Sequence, residues 1–497
     1  MKELEELQKY QRSINDLEYI ANILSWELKT KAPKGSSNYL IDVKSEVSLR
    51  KFKLCSSHDY ESLIDNVIES NGFKNLSILE QRYINILKKD FNKNILIPQQ
   101  FYKEYTVLCD KANSVWEQAK NDNDYNMFKP YLKEIIEKTK ELYGYTYPGQ
   151  DTYDAMLNDY ELGMTSSVID SLFDEIKKEL KPLLQEIIGK SNSAINYIPR
   201  KYSDSKLMDT ASYLLNYIGF DLNRGALGIY PHGYTDKMNN NDVRIAFKNS
   251  NSVTDFASTI IHEGGHGIFE QNIDKSLYPY TNHCVDYCCA LHESQSRFYE
   301  NILGRNINFW KPIYNDIKRM LDLDIDIEEF VTKLNIVKPS FIRTEADELT
   351  YCFHIIIRYE IERDIFKGKI SVDDLPTVWN EKMVEYLGIK PTNANEGILQ
   401  DVHWSQGSFG YFPSYLIGSI YDGMLKETIE KEIGSFDEIL SHGDIKIITN
   451  WLINNIHKNG GAYTGPEIIE RLCNKKITSE PLIRYFREKY LDDHNEI

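Results

Sequence analysis

No stretch of this chain approaches the roughly 18 apolar residues that a membrane-spanning helix requires. The first 20 residues, MKELEELQKYQRSINDLEYI, likewise lack an uninterrupted hydrophobic segment of signal-peptide length, so a cytoplasmic location is expected. Cysteine is scarce. Seven in 497 residues, an odd number, describe no disulfide framework and suit a reducing compartment. Positive charge is in deficit, with 58 Lys and Arg against 75 Asp and Glu and a net charge of −17. That balance argues against nucleic acid or an anionic membrane as the main partner. Prolines number 15 and period-two runs with hairpin turns are few, which excludes an all-β architecture.

What is present is helical periodicity. Leu4, Leu7, Ile14, Leu17, Ile20, Ile23 and Leu24 recur at spacings of mostly three and four, which predicts an amphipathic helix over residues 1 to 30. Thr165 reads as an N-cap. After it, Val168, Ile169, Leu172, Phe173, Ile176, Leu180, Leu183, Leu184 and Ile187 form one apolar stripe. Asp347 to Phe366 and Glu427 to Ile456 read as helices in the same way. Residues 225 to 250, GALGIYPHGYTDKMNNNDVRIAFKNS, are the exception, with short β-prone runs around an Asn-rich turn that predict a small hairpin or a few short strands. The length allows about three domains, but no linker forces a boundary, and one large, mainly α unit over 1–497 is equally compatible, with an N-terminal helical part (1–150) and a remainder (151–497) that holds the candidate site below.

The segment HEGGHGIFEQ, residues 262 to 271, carries the chemistry. On a helix advancing about 100° per residue, His262, Glu263 and His266 project into one arc. Two imidazoles at i and i+4 can then hold one zinc ion, with the glutamate beside the open coordination position. Ser252 or Thr254 can cap the segment, and Phe256, Ile260, Ile261, Ile268 and Phe269 give it helical spacing, although its three glycines are poor helix formers. A catalytic zinc needs a third protein ligand. Glu293, beside His292 in ALHESQSRFYEN, is separated from His266 by 26 intervening residues, a gap that suits a loop and a returning helix, and it is the candidate. A second cluster, His283, Cys284, Cys288 and Cys289, has no second CxxC pair, so buried thiols on a helix are expected there rather than a metal site.

Seven motifs in one order resemble the carboxypeptidase Taq family of zinc metallocarboxypeptidases. They are LSWELKT around Trp26, YDAMLNDYELGMT at 153 to 165, DVRIA at 242 to 246, HEGGH, HESQ, IRTEAD at 342 to 347 and GILQDVHW at 397 to 404. The resemblance implies a large saddle-shaped helical subunit with a deep central groove lined by a small β-sheet, frequent homodimers, and removal of single residues from peptides with a free C-terminus. It implies one Zn2+ per subunit, replaceable by Co2+, on His262, His266 and Glu293, with Glu263 as general base. Two departures bear on the groove: His232-Gly233-Tyr234 stands where the family has HPF, and Ala246 replaces the threonine of DxRxT.

An exopeptidase must also recognise the substrate α-carboxylate, and arginine's fork of donors suits it. Arg343 is preferred for this role over Arg244, and each has the alternative of a buried ion pair with Glu345, Asp347 or Asp242. His403, Tyr411 and Tyr415 are candidate donors to the developing oxyanion, with close packing as the competing explanation. His232 either contacts substrate or caps its own turn. Asp401, Gln295 and Glu270 are candidates for orienting the metal imidazoles, and His292, Asp347 and Gln400 for supporting the site around them. Two other functions fit the same motif: a zinc oligopeptidase or endopeptidase with a helical groove, and a non-catalytic metal-binding protein.

Overall fold

The computed structural model describes residues 1–190, 201–250, 252–280 and 288–492. Its helices surround a three-stranded sheet made of β1 (Gly225–Ile229), β2 (Tyr234–Asn239) and β3 (Asp242–Phe247) in the order β1-β3-β2. The Asn-rich turn joins β2 and β3 as the expected antiparallel hairpin, while β1 adds to β3 in parallel. That parallel pairing leaves no trace in local sequence.

The N-terminal helix, Lys2–Thr30, buries Leu7, Gln11, Ile14, Glu18 and Trp26, so its inner face is rotated from the expected stripe and Ile20 stays 44% exposed. Two polar residues can occupy that face because each has a partner. Gln11 accepts a hydrogen bond from the Tyr60 hydroxyl at 2.6 Å, and Glu18 pairs with Lys51. The helix Ser166–Lys190 follows Thr165 directly and buries the predicted Ile169, Phe173, Ile176, Leu180, Leu183, Leu184 and Ile187, with Val168 turned outward. The helix Glu348–Phe366 is buried on nearly every side and runs through the core, its charged Arg358 and Glu362 enclosed with it.

The expected long helix over 427 to 456 is instead three. Phe412–Ile433 stops at Gly434 (φ 99°), Phe436–Ser441 stops before Gly443 (φ 78°), and Ile445–Asn455 follows. Apolar spacing continues through the region, but a positive-φ glycine follows each of the first two runs.

The sheet lies between two helices, and its period-two alternation divides the residues between them. On β2, Tyr234 and Asp236 face the N-terminal helix: Lys29 sits 4.1 Å over the Tyr234 ring and 3.8 Å from the Asp236 carboxylate. Thr235 and Lys237 face the helix Val253–Gln271, which carries the HEGGH segment. On β3, Ile245 and Phe247 pack toward that same helix, whereas Ala246 joins the cluster around Trp26. Among the described residues no helix is long and apolar enough to cross a membrane.

Candidate metal centre

Ser252 caps the helix Val253–Gln271 by accepting from the Asp255 amide at 3.3 Å, and the helix runs unbroken through all three glycines. The glycines allow close approach. A Cβ on Gly265 would lie 2.6 Å from the Gln295 carbonyl oxygen and 2.7 Å from the Ser296 Cα, so the two backbones touch there. On the other sides, Gly264 leaves room for Leu215 and Ile218, and Gly267 for Phe220 and Ile245. The partner at Gly265 is the helix Cys289–Arg297, and the contact places Glu293 beside the two histidines.

One donor atom each from His262, His266 and Glu293 lie within 4.8 Å of one another. His266 Nε2 is 3.4 Å from Glu293 Oε2, and His262 Nε2 is 4.0 Å from Oε1. The donor set suits a divalent cation. Burial, with His292 next to it, lowers the His266 imidazole to about 3, so it is a neutral lone-pair donor. Burial works against ionisation of Glu293 too, but Arg297, His262 and His266 overcome it and hold the carboxyl well below the usual range. His262 is lowered by burial and raised by Glu293 and Glu300, with a net rise to about 9, as expected where negative charge converges on a site. Glu263 sits in the same arc. Burial raises its carboxyl to about 7, against the lowering influence of His262 and of the Thr235 hydroxyl, which donates to Oε2 at 2.8 Å.

The groups around these residues differ in part from expectation. Glu300 holds His262, its carboxylate 2.9 Å from Nδ1. Arg297 Nε donates to Glu293 Oε1 at 2.7 Å. Sequence reasoning missed both, although positions i+4 and i+7 from Glu293 fall on one helix face and were open to that reading. Gln295 does not hydrogen-bond His262 or His266; its amide oxygen lies 2.9 Å from His457 Nε2. Glu270 is joined to Lys237 (3.0 Å) and to His292 (3.3 Å), and His292 stacks on His266 at 4.3 Å, so its influence on the ligand passes through a ring contact. Asp347 caps the helix Glu348–Phe366, accepting from the Leu349 and Thr350 amides, and is a structural group. Cys288 is buried and Cys289 half-buried at the start of the Glu293 helix, while His283 and Cys284 lie outside the described residues.

A second cluster forms around Arg343. Its ion-pair partner is Asp401, at 2.9 Å, rather than Glu345 or Asp347, and Asp401 also takes Arg358 at 2.6 Å. Asp401 therefore binds two guanidiniums and, among the described residues, accepts a hydrogen bond from no imidazole. Gln400 Oε1 accepts from the Arg343 amide (2.9 Å) and from Arg358 Nη2 (2.7 Å), which locks the loop to the core helix. His403, Tyr411 and Tyr415 stand together, with His403 Nε2 3.1 Å from the Tyr415 hydroxyl and the two tyrosine rings 5.2 Å apart. This cluster joins the histidine site through Arg297, which lies 3.8 Å over the Tyr351 ring, while the Tyr351 hydroxyl accepts from Arg343 Nη1 at 2.8 Å. Arg244 has its Nε and Nη2 taken by Asp242 and lies 5.7 Å from Trp26, on the sheet face turned from the histidine helix. His232 is exposed, and its neighbour Gly233 passes over Glu263: a Cβ at 233 would be 2.9 Å from Oε1 of that carboxylate.

Comparison with known proteins agrees with this arrangement. The sequence profile of the carboxypeptidase Taq (M32) metallopeptidases matches residues 6–490. Carboxypeptidase 1 of Bacillus subtilis (strain 168) is 39% identical over 475 residues, which cover 94% of each chain. Thermostable carboxypeptidase 1 of Pyrococcus furiosus is 33% identical over 493 residues, 98% of this chain and 97% of that one. A solved structure of the Pyrococcus furiosus carboxypeptidase superposes with a TM-score of 0.92 at 30% identity, covering 99% of both chains. With its mainly helical fold, its small sheet against the HEGGH helix and matches of this length, the chain belongs to the carboxypeptidase Taq (M32) family of metallopeptidases.

Proposed function

We propose that this metallocarboxypeptidase holds one zinc ion on His262, His266 and Glu293 and releases single residues from the free C-termini of peptides, with Glu263 as its general base. The convergence of three donor atoms within 4.8 Å beside Glu263 carries the reading. A divalent cation there supplies Lewis acidity toward the scissile carbonyl and makes water more acidic. Glu263 takes the proton of the attacking water and delivers it to the leaving amine. Its half-raised carboxyl suits both steps, since a base poised near neutrality can also give the proton back.

Arg343 is the residue assigned to the substrate α-carboxylate. Asp401 takes its Nε and Tyr351 its Nη1, and among the described residues no hydrogen bond takes Nη2, so the guanidinium keeps donors to offer. The commitment of Arg244 to Asp242 ranks it second. Tyr415, Tyr411 and His403 are assigned to the carbonyl side of the substrate, and exposed His232 to the groove wall. The chain is further read as one catalytic unit over 1–497 and as a cytoplasmic homodimer, in keeping with its cysteine usage and its family.

A pair of peptides tests the direction of cutting. The free acid is expected to lose residues one at a time from its C-terminus by mass spectrometry, and a chelator to stop this. The same peptide amidated at its C-terminus should be cut far more slowly; equal rates on the two would sink the exopeptidase assignment. The role of Glu300 is testable separately. Glu300→Gln weakens its hold on His262 and is expected to lower zinc affinity about 10- to 100-fold, as changes of such outer groups commonly do. Competition with a chromophoric zinc chelator measures this, and unchanged affinity would show that His262 needs no such partner.

A further inference from the structure

The carboxylate of Glu263 is seated by the start of β2. The Thr235 hydroxyl lies 2.8 Å from Oε2 and 3.0 Å from the main-chain carbonyl oxygen of Glu263, so its one proton has two acceptors within reach, of which the carboxylate oxygen is the nearer and, when ionised, the stronger. The other oxygen, Oε1, meets the opposite situation. Gly233 passes beside it, and a Cβ at that position would stand 2.9 Å from Oε1 and 2.6 Å from Thr259 Cγ2. One carboxylate oxygen is thus held by a donor, and the other faces a residue with no side chain. Thr235 is fixed in turn by the sheet, where it pairs with Ile245 of β3.

We infer that Thr235 is a positioning residue for the base: it anchors Oε2 so that Oε1 is the oxygen that takes the proton and passes it on, with Gly233 leaving that oxygen room. The physical reason is rotational. A glutamate side chain has three free torsions, and its last one is broad. Burial alone does not choose which oxygen faces the reacting atoms. A hydroxyl hydrogen bond to one oxygen does, and because its acceptor is charged it is among the stronger kind. The inference rests on the reading of Glu263 as general base.

Its test is kinetic. Thr235→Val keeps the shape and removes the hydroxyl, Thr235→Ala removes it without the β-branch, and Thr235→Ser restores it. The valine and alanine variants are expected to lose about 10- to 100-fold in kcat, the equivalent of one hydrogen bond to a charged group, with KM within about twofold and zinc content and melting temperature as in the unaltered enzyme. Serine should recover most of the rate. Turnover by either hydroxyl-free variant within about twofold of the unaltered enzyme overturns the inference. So does a loss that tracks zinc content or folding, since the hydroxyl would then be holding the structure and not the base. Glu263→Gln measured alongside separates the two ideas: if that variant stays active, the assignment of Glu263 has failed; if it is inactive while Thr235→Val is unimpaired, only the role of Thr235 has.

Discussion

Glu263→Gln is expected to bind zinc as tightly as the unaltered protein and to lose between about 10²- and 10⁴-fold in kcat, the range that a positioned general base contributes. Glutamine has nearly the shape of glutamate and can still accept from the Thr235 hydroxyl, so the helix, the neighbouring ligands and the sheet contact all remain. What it cannot do is take a proton. Stoichiometric zinc by atomic absorption together with vanishing turnover is the predicted pair of results, and full activity would refute the mechanism. The pH dependence of the unaltered enzyme carries the same information. The base works only when ionised, and burial raises its carboxyl to about 7, against the lowering influence of His262 and Thr235. A bound cation lowers it further. The rate should therefore fall as pH drops through an apparent value at or below about 7, and this acid limb should come from kcat.

Gly265→Ala is expected to damage the site from behind. The added methyl would lie 2.6 Å from the Gln295 carbonyl oxygen and 2.7 Å from the Ser296 Cα, backbone atoms that have no rotamer to escape into. The two helices have to separate, and Glu293, two residues before Gln295, moves with its helix away from His262 and His266. Alanine would gain about 1 kcal/mol of helix propensity over glycine, but overpacking of a close contact costs about 1–3 kcal/mol and rises when only backbone can yield. A lower melting temperature, weaker zinc binding and activity that partly returns at high zinc concentration are the expected outcomes. Gly264→Ala, which meets only the flexible ends of Leu215 and Ile218, should be milder. Equal stability and zinc affinity for Gly265→Ala would mean that the helix contact does not set the ligand geometry.

The glycines show how much of the site can be read in a sequence. Three of them in HEGGHG weaken the case for a helix on propensity alone, yet they fit one on which other elements press from several sides. The histidine pair, the candidate base and the candidate third ligand follow from spacing and ordered motifs, because ligand chemistry demands particular residue types at helical intervals. Their supports are harder to read. Glu300 and Arg297 share a face with Glu293, which periodicity can express, but nothing local tells a surface Glu or Arg from one that a histidine or a carboxylate has drawn inside. Asp401 and Arg343 lie 58 residues apart, and only the fold introduces them. Ile20 illustrates the limit for the core: apolar spacing assigned it inward, but the partnered polar residues Gln11 and Glu18 took that face. The breaks at Gly434 and Gly443 are the reverse case, since the letters were visible and the positive-φ backbone that gives them meaning was not.

The alternation along β2 bears on how the chain avoids misfolding. In the native pairing Thr235 and Lys237 meet Glu263 and Glu270, a hydroxyl and an ammonium set against two buried carboxylates. A slip of the strand by one residue would reverse its faces and bring Tyr234 and Asp236 to the same helix, with Asp236 thrust among glutamates and Lys237 turned toward Lys29. Both errors set like charges together, the first of them in poorly hydrated surroundings. The buried carboxylates of Glu263 and Glu270 thus disfavour the slipped alignment of the hairpin, and a charge reversal at Lys237, which pairs with Glu270, is expected to weaken that discrimination.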